Sequence, residues 1–449
     1  MRELRRDRHW WRSKDGNGLV AGTPGSFFRL TEKGSQIVDS IDAGSPVDGS
    51  PLVDRLIAAG AVHPLPGADV PHDRVTVVIP VFARTDDDVT RVQSLVDALS
   101  PLRVVVVDDA SPVTVGVRAW RVIRLDTNSG PGAARNAGVR EVTTDYVALV
   151  DDDVEVTPAQ ILRLTGHFSD PNVSCVAPRV ATHAGSTFVS QYEALRSPLD
   201  MGPDPARVRP RSLVPFVPTA VLVARTTAMR GAFDESLRFG EDVDFEWRSV
   251  DDAAQCRYEP DVVCHHAARP SVASMLKQRY RYGRSAADID RRHPWSVAPV
   301  RSHVLHVLPL ALLLSGQLFL AFDALFLSAA YTHFALRKMG LSGRQKIAVS
   351  RLGIAVASRH LSTAVTREWW PLFVAFSWLM PVSVAFYMTF AGVLLLDFHR
   401  KRPDNIAAYA VLRVLDNLAY GAGVWAGAFR TRSLRCLLPR LSLVQRRGG

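Results

Sequence analysis

Between residues 74 and 151 the chain alternates β-branched apolar runs with helical periodicities, and this alternation restricts its fold more than any other feature. Arg74-Val-Thr-Val-Val-Ile-Pro-Val-Phe82 is a strand-length run dominated by valine and isoleucine, the pattern of a strand buried on both faces. Val89, Val92, Leu95, Val96 and Leu99 follow at helical spacing. Leu102 to Asp108 repeats the strand pattern, Gly132 to Val139 opens another helix, and Tyr146 to Asp151 is a further apolar strand. The order predicts an α/β domain on a mostly parallel sheet. Ligands of such sheets sit beyond the carboxyl ends of the strands.

Carboxylates collect at those ends. Asp108-Asp109-Ala110-Ser111 closes one strand and Asp151-Asp152-Asp153 closes another. The first pair can accept hydrogen bonds from a base or ribose, or form an Asx turn. Three adjacent acids repel one another unless a cation or solvent compensates. Alternate side chains of an extended segment share a face, so Asp151 and Asp153 point the same way. Hard cations such as Mg2+ and Mn2+ take oxygen ligands, and Mg2+ is commonly held by one or two carboxylates plus substrate phosphates. Gly240-Glu241-Asp242-Val243-Asp244 precedes Phe245, Trp247 and Val250 in a helix-start pattern. Acids there cap a helix and complement its dipole, or one serves as general base toward an acceptor hydroxyl. Asn128 to Gly138 joins a strand to a helix, with glycines that allow close backbone approach and a helix N-terminus that favours anions. It lacks the lysine-bearing phosphate loop of NTPases. Arg135 within it can meet a diphosphate or organise the aspartates.

From residue 74 to about residue 290 these motifs resemble the family 2 glycosyltransferases of GT-A fold. Val78-Ile79-Pro80-Val81-Phe82 resembles the opening strand of that family. The resemblance implies that Pro80, Asp108, Asp109, Asn128, Gly130, Arg135, Asp151 and Asp152 serve the nucleotide-sugar donor. It implies Asp153 as a direct ligand of a divalent cation, Mg2+ or Mn2+. Cys264-His265-His266 is similar to a late histidine segment that completes the metal site, through His265 or its neighbour His266. Glu241-Asp242 resembles the acceptor-side acidic pair, with Asp242 the base. Gln278-Arg279-Tyr280-Arg281-Tyr282 resembles the Q-x-x-R-W motif of membrane synthases. It implies Gln278 and Tyr282 beside the donor and Arg281 at the leaving diphosphate. Tyr282 stands where that motif has tryptophan, which argues against processive synthesis. The implied reaction is metal-dependent hexosyl transfer by single displacement with inversion.

The flanks bear on the acceptor and the location. Residues 1–70 read as short strands at His9 to Arg12, Leu19 to Ala21 and Phe27 to Leu30, followed by helices after Thr31 and from Pro51 to Gly60. They suggest a small winged-helix-like module, similar to the peptide-recognition modules that bind leader peptides in ribosomal-peptide maturation. Leu65 to Asp73, with two prolines and a glycine, reads as a linker. Residues 74–300 form the expected catalytic domain and 301–449 a membrane-associated helical region. Val304 to Leu336 and Leu372 to Leu396 each reach membrane-spanning length, whereas Ile406 to Phe429 is more amphipathic. Lys and Arg precede Val304, fill the segment from Arg337 to Arg367 and return at Arg400-Lys401-Arg402. A positive-inside count puts all three on one side, which hairpins or re-entrant helices would satisfy and single spans would not. The whole order is similar to the glycosyltransferases of mycofactocin systems. That resemblance implies glucose from UDP-glucose and an acceptor that is the precursor peptide or its redox-cofactor product. The alternative is a polyprenyl-phosphate or cell-envelope acceptor.

The net charge of +10 calls for an anionic partner. The cations flank apolar segments, which suits lipid headgroups, and no nucleic-acid-binding signature is present. The basic N-terminus leads into no apolar signal core, so the catalytic region is expected at the cytoplasmic face of the cell membrane. Cys175, Cys256, Cys264 and Cys436 form no C-x-x-C pair and read as core thiols of a reducing compartment.

Overall fold

The computed structural model describes residues 1–442 apart from positions 24, 211, 252 and 253. Residues 443–449, the end of the expected membrane region, lie outside the described residues. The chain divides into two units. One holds residues 1–8, 22–23 and 40–268, the other residues 9–21, 25–39 and 269 onward.

The first unit is built on a mixed nine-stranded sheet. From one edge to the other its strands run Val154–Glu155, Gln255–His266, Val173–Thr182, Val221–Arg225, Tyr146–Val150, Val75–Val81, Arg103–Asp108 and Arg121–Arg124. Ala206–Val208 adds to Gln255–His266. The last four strands of the row are parallel, and Val221–Arg225 runs against them beside Tyr146–Val150. Period-two alternation divides the core between two faces. Val75, Val77, Ile79 and Val81 pack with Val104, Val106, Ala148 and Val150 on one face. Val78, Val105, Val107, Val147 and Leu149 form the other. Each fully buried Val or Leu contributes about 1.5–3 kcal/mol, so both faces must be covered. Helices Asp86–Ala98 and Pro158–Thr165 cover the first face, each opened by a threonine capping box at Thr85 or Thr157. Helix Pro131–Arg140 covers the second through Ala134, Ala137 and Val139. It lies so close that a Cβ on Gly138 would sit 2.3 Å from Val78 Cγ1.

The elements expected in residues 1–70 form, and they are shared between the units. Leu4–Arg6 pairs with Val62–Pro64 and, with helix Pro51–Ala58, belongs to the first unit. Polar contacts hold them there: Arg5 with Asp261, Arg8 with Asp204, and the Arg207 and Arg209 guanidiniums donating to the Ala58 carbonyl at 2.8 and 3.0 Å. The antiparallel strands Trp10–Arg12, Gly18–Ala21 and Ser26–Arg29 belong to the second unit. There Trp11, Val20 and Phe27 pack with Leu336, Met339, Leu341 and Val349.

Helix Val272–Arg292 also belongs to the second unit, where it lies against Ile406–Thr431. Their backbones touch: a Cβ on Gly283 would sit 2.0 Å from the Tyr420 carbonyl oxygen, and one on Gly423 2.1 Å from that of Tyr280. The two apolar stretches are each interrupted. The first breaks at Ser315-Gly316-Gln317 into Val304–Leu314 and Leu318–Ala335, where Gly316 takes φ 81°. The second breaks after Ala375 into Trp370–Ala375 and Met380–Lys401. Helix Gly343–Thr363 leads through a π-turn at Ala364–Glu368 into the latter pair. Leu318–Ala335 and Met380–Lys401 are long and apolar enough to cross a membrane.

Candidate functional site

Carboxylates lie at two strand ends and one helix start of the first unit. Asp108 and Asp109 end the strand Arg103–Asp108 and are both buried. Asp108 Oδ1 accepts from the Ser111 N–H at 2.8 Å, while its other oxygen pairs with Arg124. Asp109 accepts from the N–H groups of Ser129 at 2.6 Å and Gly130 at 2.8 Å. Its carboxylate therefore clamps the glycine segment. Gly130 takes φ 94°, a left-handed conformation that favours glycine. The segment is held from the far side by Arg238, which donates to Asn128 Oδ1 at 2.5 Å and to the Asn128 carbonyl at 2.7 Å. Pro80 lies in the strand before Asp108, registered opposite Val107.

The helix that Gly130 opens carries Arg135, whose side chain is buried. Its guanidinium donates to Asp151 Oδ1 at 2.6 Å and to Glu241 Oε1 at 2.8 Å. Burial works against its charge, and Asp151 and Glu241 more than offset that, so its pKa rises. One cation thus joins the strand-end acids to the helix-start acids.

The three consecutive aspartates have three different partners. Asp151 has Arg135, Asp152 has Arg91 at 3.1 Å, and Asp153 Oδ2 lies 3.0 Å from His266 Nε2. Burial, then repulsion from Asp153, pushes the Asp152 carboxyl up to about 6 despite Arg91. Pairing of Val154–Glu155 with His265–His266 brings His266 back over Asp153. Of the two expected histidines, His265 does not face Asp153. Adjacent residues of a strand point to opposite faces, and the His265 ring instead stacks on His183 at 3.8 Å. Burial and the nearby His183 lower its pKa.

Glu241 and Asp242 open helix Glu241–Asp251. Among the described residues Asp242 is half-buried and forms no ion pair; its Oδ1 accepts from the Val243 N–H at 2.8 Å. Burial, then the Glu241 charge, pushes its carboxyl up to about 7. One helical turn on, Glu246 is buried and accepts from the Val217 N–H at 2.8 Å, and burial pushes its carboxyl well above the usual carboxylate range. Asp244 is instead paired with Arg248 at 2.8 Å.

Gln278, Arg281 and Tyr282 belong to the second unit. There Gln278 Nε2 donates to the Tyr282 hydroxyl at 3.1 Å, and neighbouring Arg279 pairs with Asp416 at 3.4 Å. Sequence reasoning missed Arg91, Arg238 and Glu246 altogether. Only Glu246 left a signal, as the residue one turn after Asp242 on the same helix face.

A sheet of this order, with acids gathered at the carboxyl ends of its parallel strands, belongs to the GT-A class of nucleotide-sugar transferases. The model of the family described as glycosyl transferase family 2 matches residues 76–226. The pre-mycofactocin glycosyltransferase of Mycobacterium tuberculosis (strain CDC 1551 / Oshkosh) is 33% identical over 464 aligned positions, covering 95% of each chain. The chain belongs to glycosyltransferase family 2. Among solved structures, a mannosyltransferase from Pyrobaculum calidifontis in complex with GDP-Man and Mn2+ is 17% identical with a TM-score of 0.39, over 66% of this chain and 87% of that one. A glucosyl-3-phosphoglycerate synthase from Mycobacterium tuberculosis in complex with Mn2+, UDP-Glc and phosphoglyceric acid is 18% identical with a TM-score of 0.35, over 49% and 79% respectively.

Proposed function

We propose that this glycosyltransferase inverts configuration as it moves glucose from UDP-glucose to the precursor peptide, or its redox-cofactor product, in mycofactocin biosynthesis, working at a membrane surface. The observation that carries the chemistry is Asp242. It is a carboxyl pushed up to about 7, free of any ion pair among the described residues and next to the Arg135-bound Glu241. The likeness to the pre-mycofactocin glycosyltransferase over 95% of both chains supports the pathway and the acceptor.

Asp242 accepts the proton of the acceptor hydroxyl as its oxygen attacks the anomeric carbon. The bond from that carbon to the diphosphate oxygen breaks, and UDP leaves with the electron pair. Arg135 stays ionised and fixes Asp151 and Glu241 in place. Asp109 and Arg238 hold the glycine segment that approaches the donor.

Asp153 and His266 set an oxygen and a nitrogen donor side by side, a set suited to Mn2+ or Mg2+. Among the described residues no cluster of three such ligands occurs, and a cation held by this pair would take its further ligands from donor phosphates and water. Bound there, a divalent cation offsets the charge that grows on the diphosphate. The roles of Gln278, Tyr282 and Arg281 toward the donor and leaving diphosphate rest on their motif alone.

The exposed apolar helices favour a second reading, transfer to a polyprenyl-phosphate acceptor. Purified full-length enzyme with Mn2+ or Mg2+ and a panel of labelled nucleotide sugars tests both, with peptide and lipid acceptors offered side by side. Transfer to peptide from UDP-glucose, with inverted anomeric configuration by NMR, is expected. Transfer to lipid alone would overturn the acceptor, and full activity in excess chelator would overturn the cation.

A further inference from the structure

The helical unit is turned inside out at two helices. Leu318–Ala335 buries Ala321, Ala324, Ser328 and Thr332 and turns Phe319, Phe322, Phe326 and Phe334 outward, with Phe319 90% exposed. Met380–Lys401 buries Ala385 and Thr389 and exposes Met380, Tyr387, Met388 and Leu395. Small residues inward and large apolar residues outward is the arrangement of helices solvated by lipid, the reverse of a water-facing helix.

Neither helix stands alone. Val304–Leu314 packs along Leu318–Ala335. The His303 ring stacks on Tyr331 at 4.2 Å, and His306 Nε2 lies 3.4 Å from Thr332 Oγ1. The start of one arm is therefore level with the end of the other. From that level to the turn at Ser315-Gly316-Gln317 the depth is about 20 Å at 1.5 Å per residue. A bilayer core is about 30 Å thick. The second pair behaves alike. Phe373 and Phe386 stack at 5.5 Å across its arms. Its incoming arm is charged at Arg367 and Glu368. The Arg367 guanidinium sits 3.6 Å over the Tyr420 ring, and Trp425 Nε1 donates to the Glu368 carbonyl at 2.8 Å. From there to Phe376 is about 12 Å. Its outgoing arm reaches Asp397, bound to Arg413 at 3.1 Å, about 26 Å from Met380.

We propose that the helical unit enters one leaflet of an anionic bilayer as two re-entrant hairpins, tipped by Ser315–Gln317 and by Phe376–Leu379, and that neither apolar helix crosses. If Leu318–Ala335 crossed, the eleven residues of Val304–Leu314, about 16 Å long, would have to return through the whole core. Exposed apolar side chains flank both tips, Leu318 and Phe319 beside the first and Trp378 and Met380 at the second, with Phe319 and Met380 the most exposed of the four. The opposite ends of the arms carry the cations: Arg337 and Lys338 after the first hairpin, Arg344 and Lys346 on the next helix, and Arg400, Lys401 and Arg402 after the second. In this placement all of them face the same side, as anionic headgroups require.

The proposal rests on the membrane-bound reading above, and its test separates the two. Ser315→Cys, Ser377→Cys and, at the polar end, Lys338→Cys are made singly in the full chain. The native Cys175, Cys256, Cys264 and Cys436 are buried and free, so they label poorly. An environment-sensitive thiol dye is read in phosphatidylcholine–phosphatidylglycerol vesicles with shallow- and deep-doxyl lipids and with aqueous iodide. An impermeant maleimide is applied to intact cells. Expected are doxyl quenching and lost iodide quenching at both tips, no labelling of the tips from outside, and labelling at Lys338→Cys only after the cells are opened. Outside labelling of either tip overturns the re-entrant placement while leaving the protein membrane-bound. Tips quenched by iodide alone, in a protein that stays soluble beside vesicles, overturn both readings.

Discussion

The two acidic motifs of the first unit are treated in opposite ways. Asp151, Asp152 and Asp153 each face a different basic side chain, Arg135, Arg91 and His266. Of Glu241 and Asp242, only Glu241 has one, and it is the same Arg135. Three adjacent charges are tolerable because each is compensated separately. Asp242 is left desolvated beside a like charge, the condition that turns a carboxylic acid into a base near neutral pH. The strand-end run is suited to binding and the helix start to proton transfer.

The largest expected break in this contrast is Asp242→Asn. Loss of a positioned general base costs about 10²- to 10⁴-fold, seen as a fall in kcat with UDP-glucose binding by calorimetry unchanged; undiminished turnover would remove the base. Arg135→Met tests the shared cation. It leaves Asp151 and Glu241 without their partner, and breaking a buried pair costs about 3–5 kcal/mol, so thermal unfolding should show a large drop in Tm. An unshifted Tm would mean the two motifs are not joined. His266→Ala should raise the Mn2+ concentration needed for half-maximal activity by at least the roughly 10- to 100-fold that even outer-shell changes produce. His265→Ala should leave it nearly unchanged, and equal effects of the two would undo the assignment to His266.

Acidity offers a finer probe. Asp242 must be ionised to take a proton and its carboxyl is pushed up to about 7, so kcat/KM should climb as pH rises through 7 and fall away below it. A profile flat from pH 5 to 8 would contradict that. Arg91→Ala should do least. Arg91 is substantially exposed, and such pairs contribute about 0.2–1 kcal/mol. A small loss of stability by denaturant titration is expected, together with a further rise of the Asp152 carboxyl by NMR.

The sequence made the sheet legible because its strands are apolar on both faces, and Val75–Val81 and Arg103–Asp108 fall within one residue of the expected runs. The acids were legible because they crowd strand ends. Of their partners, Arg135 and His266 were named by motif, but Arg91 and Arg238 were not. Arg91 and Arg238 approach from segments 61 and 110 residues away from Asp152 and Asn128, and nothing local marks an arginine for such a contact. The two apolar stretches showed hydropathy but hid their turns, because Ser315-Gly316-Gln317 and Phe376-Ser377-Trp378-Leu379 interrupt without a charge. The sharing of residues 1–70 between units was also hidden, since it depends on long-range contacts such as Arg5 with Asp261 and Val20 with Leu336.

The glycine seam between Val272–Arg292 and Ile406–Thr431 bears on how this enzyme can be cut down for study. The helix bearing Gln278, Arg281 and Tyr282 has its neighbour more than a hundred residues later. A chain ended near residue 300 to gain solubility would keep every motif residue and still strip that helix of its mate. Gly283 would face water, and the buried Arg279 would lose Asp416. Trimming should therefore remove whole hairpins between residues 304 and 401 and rejoin the ends, so that the last long helix stays in place.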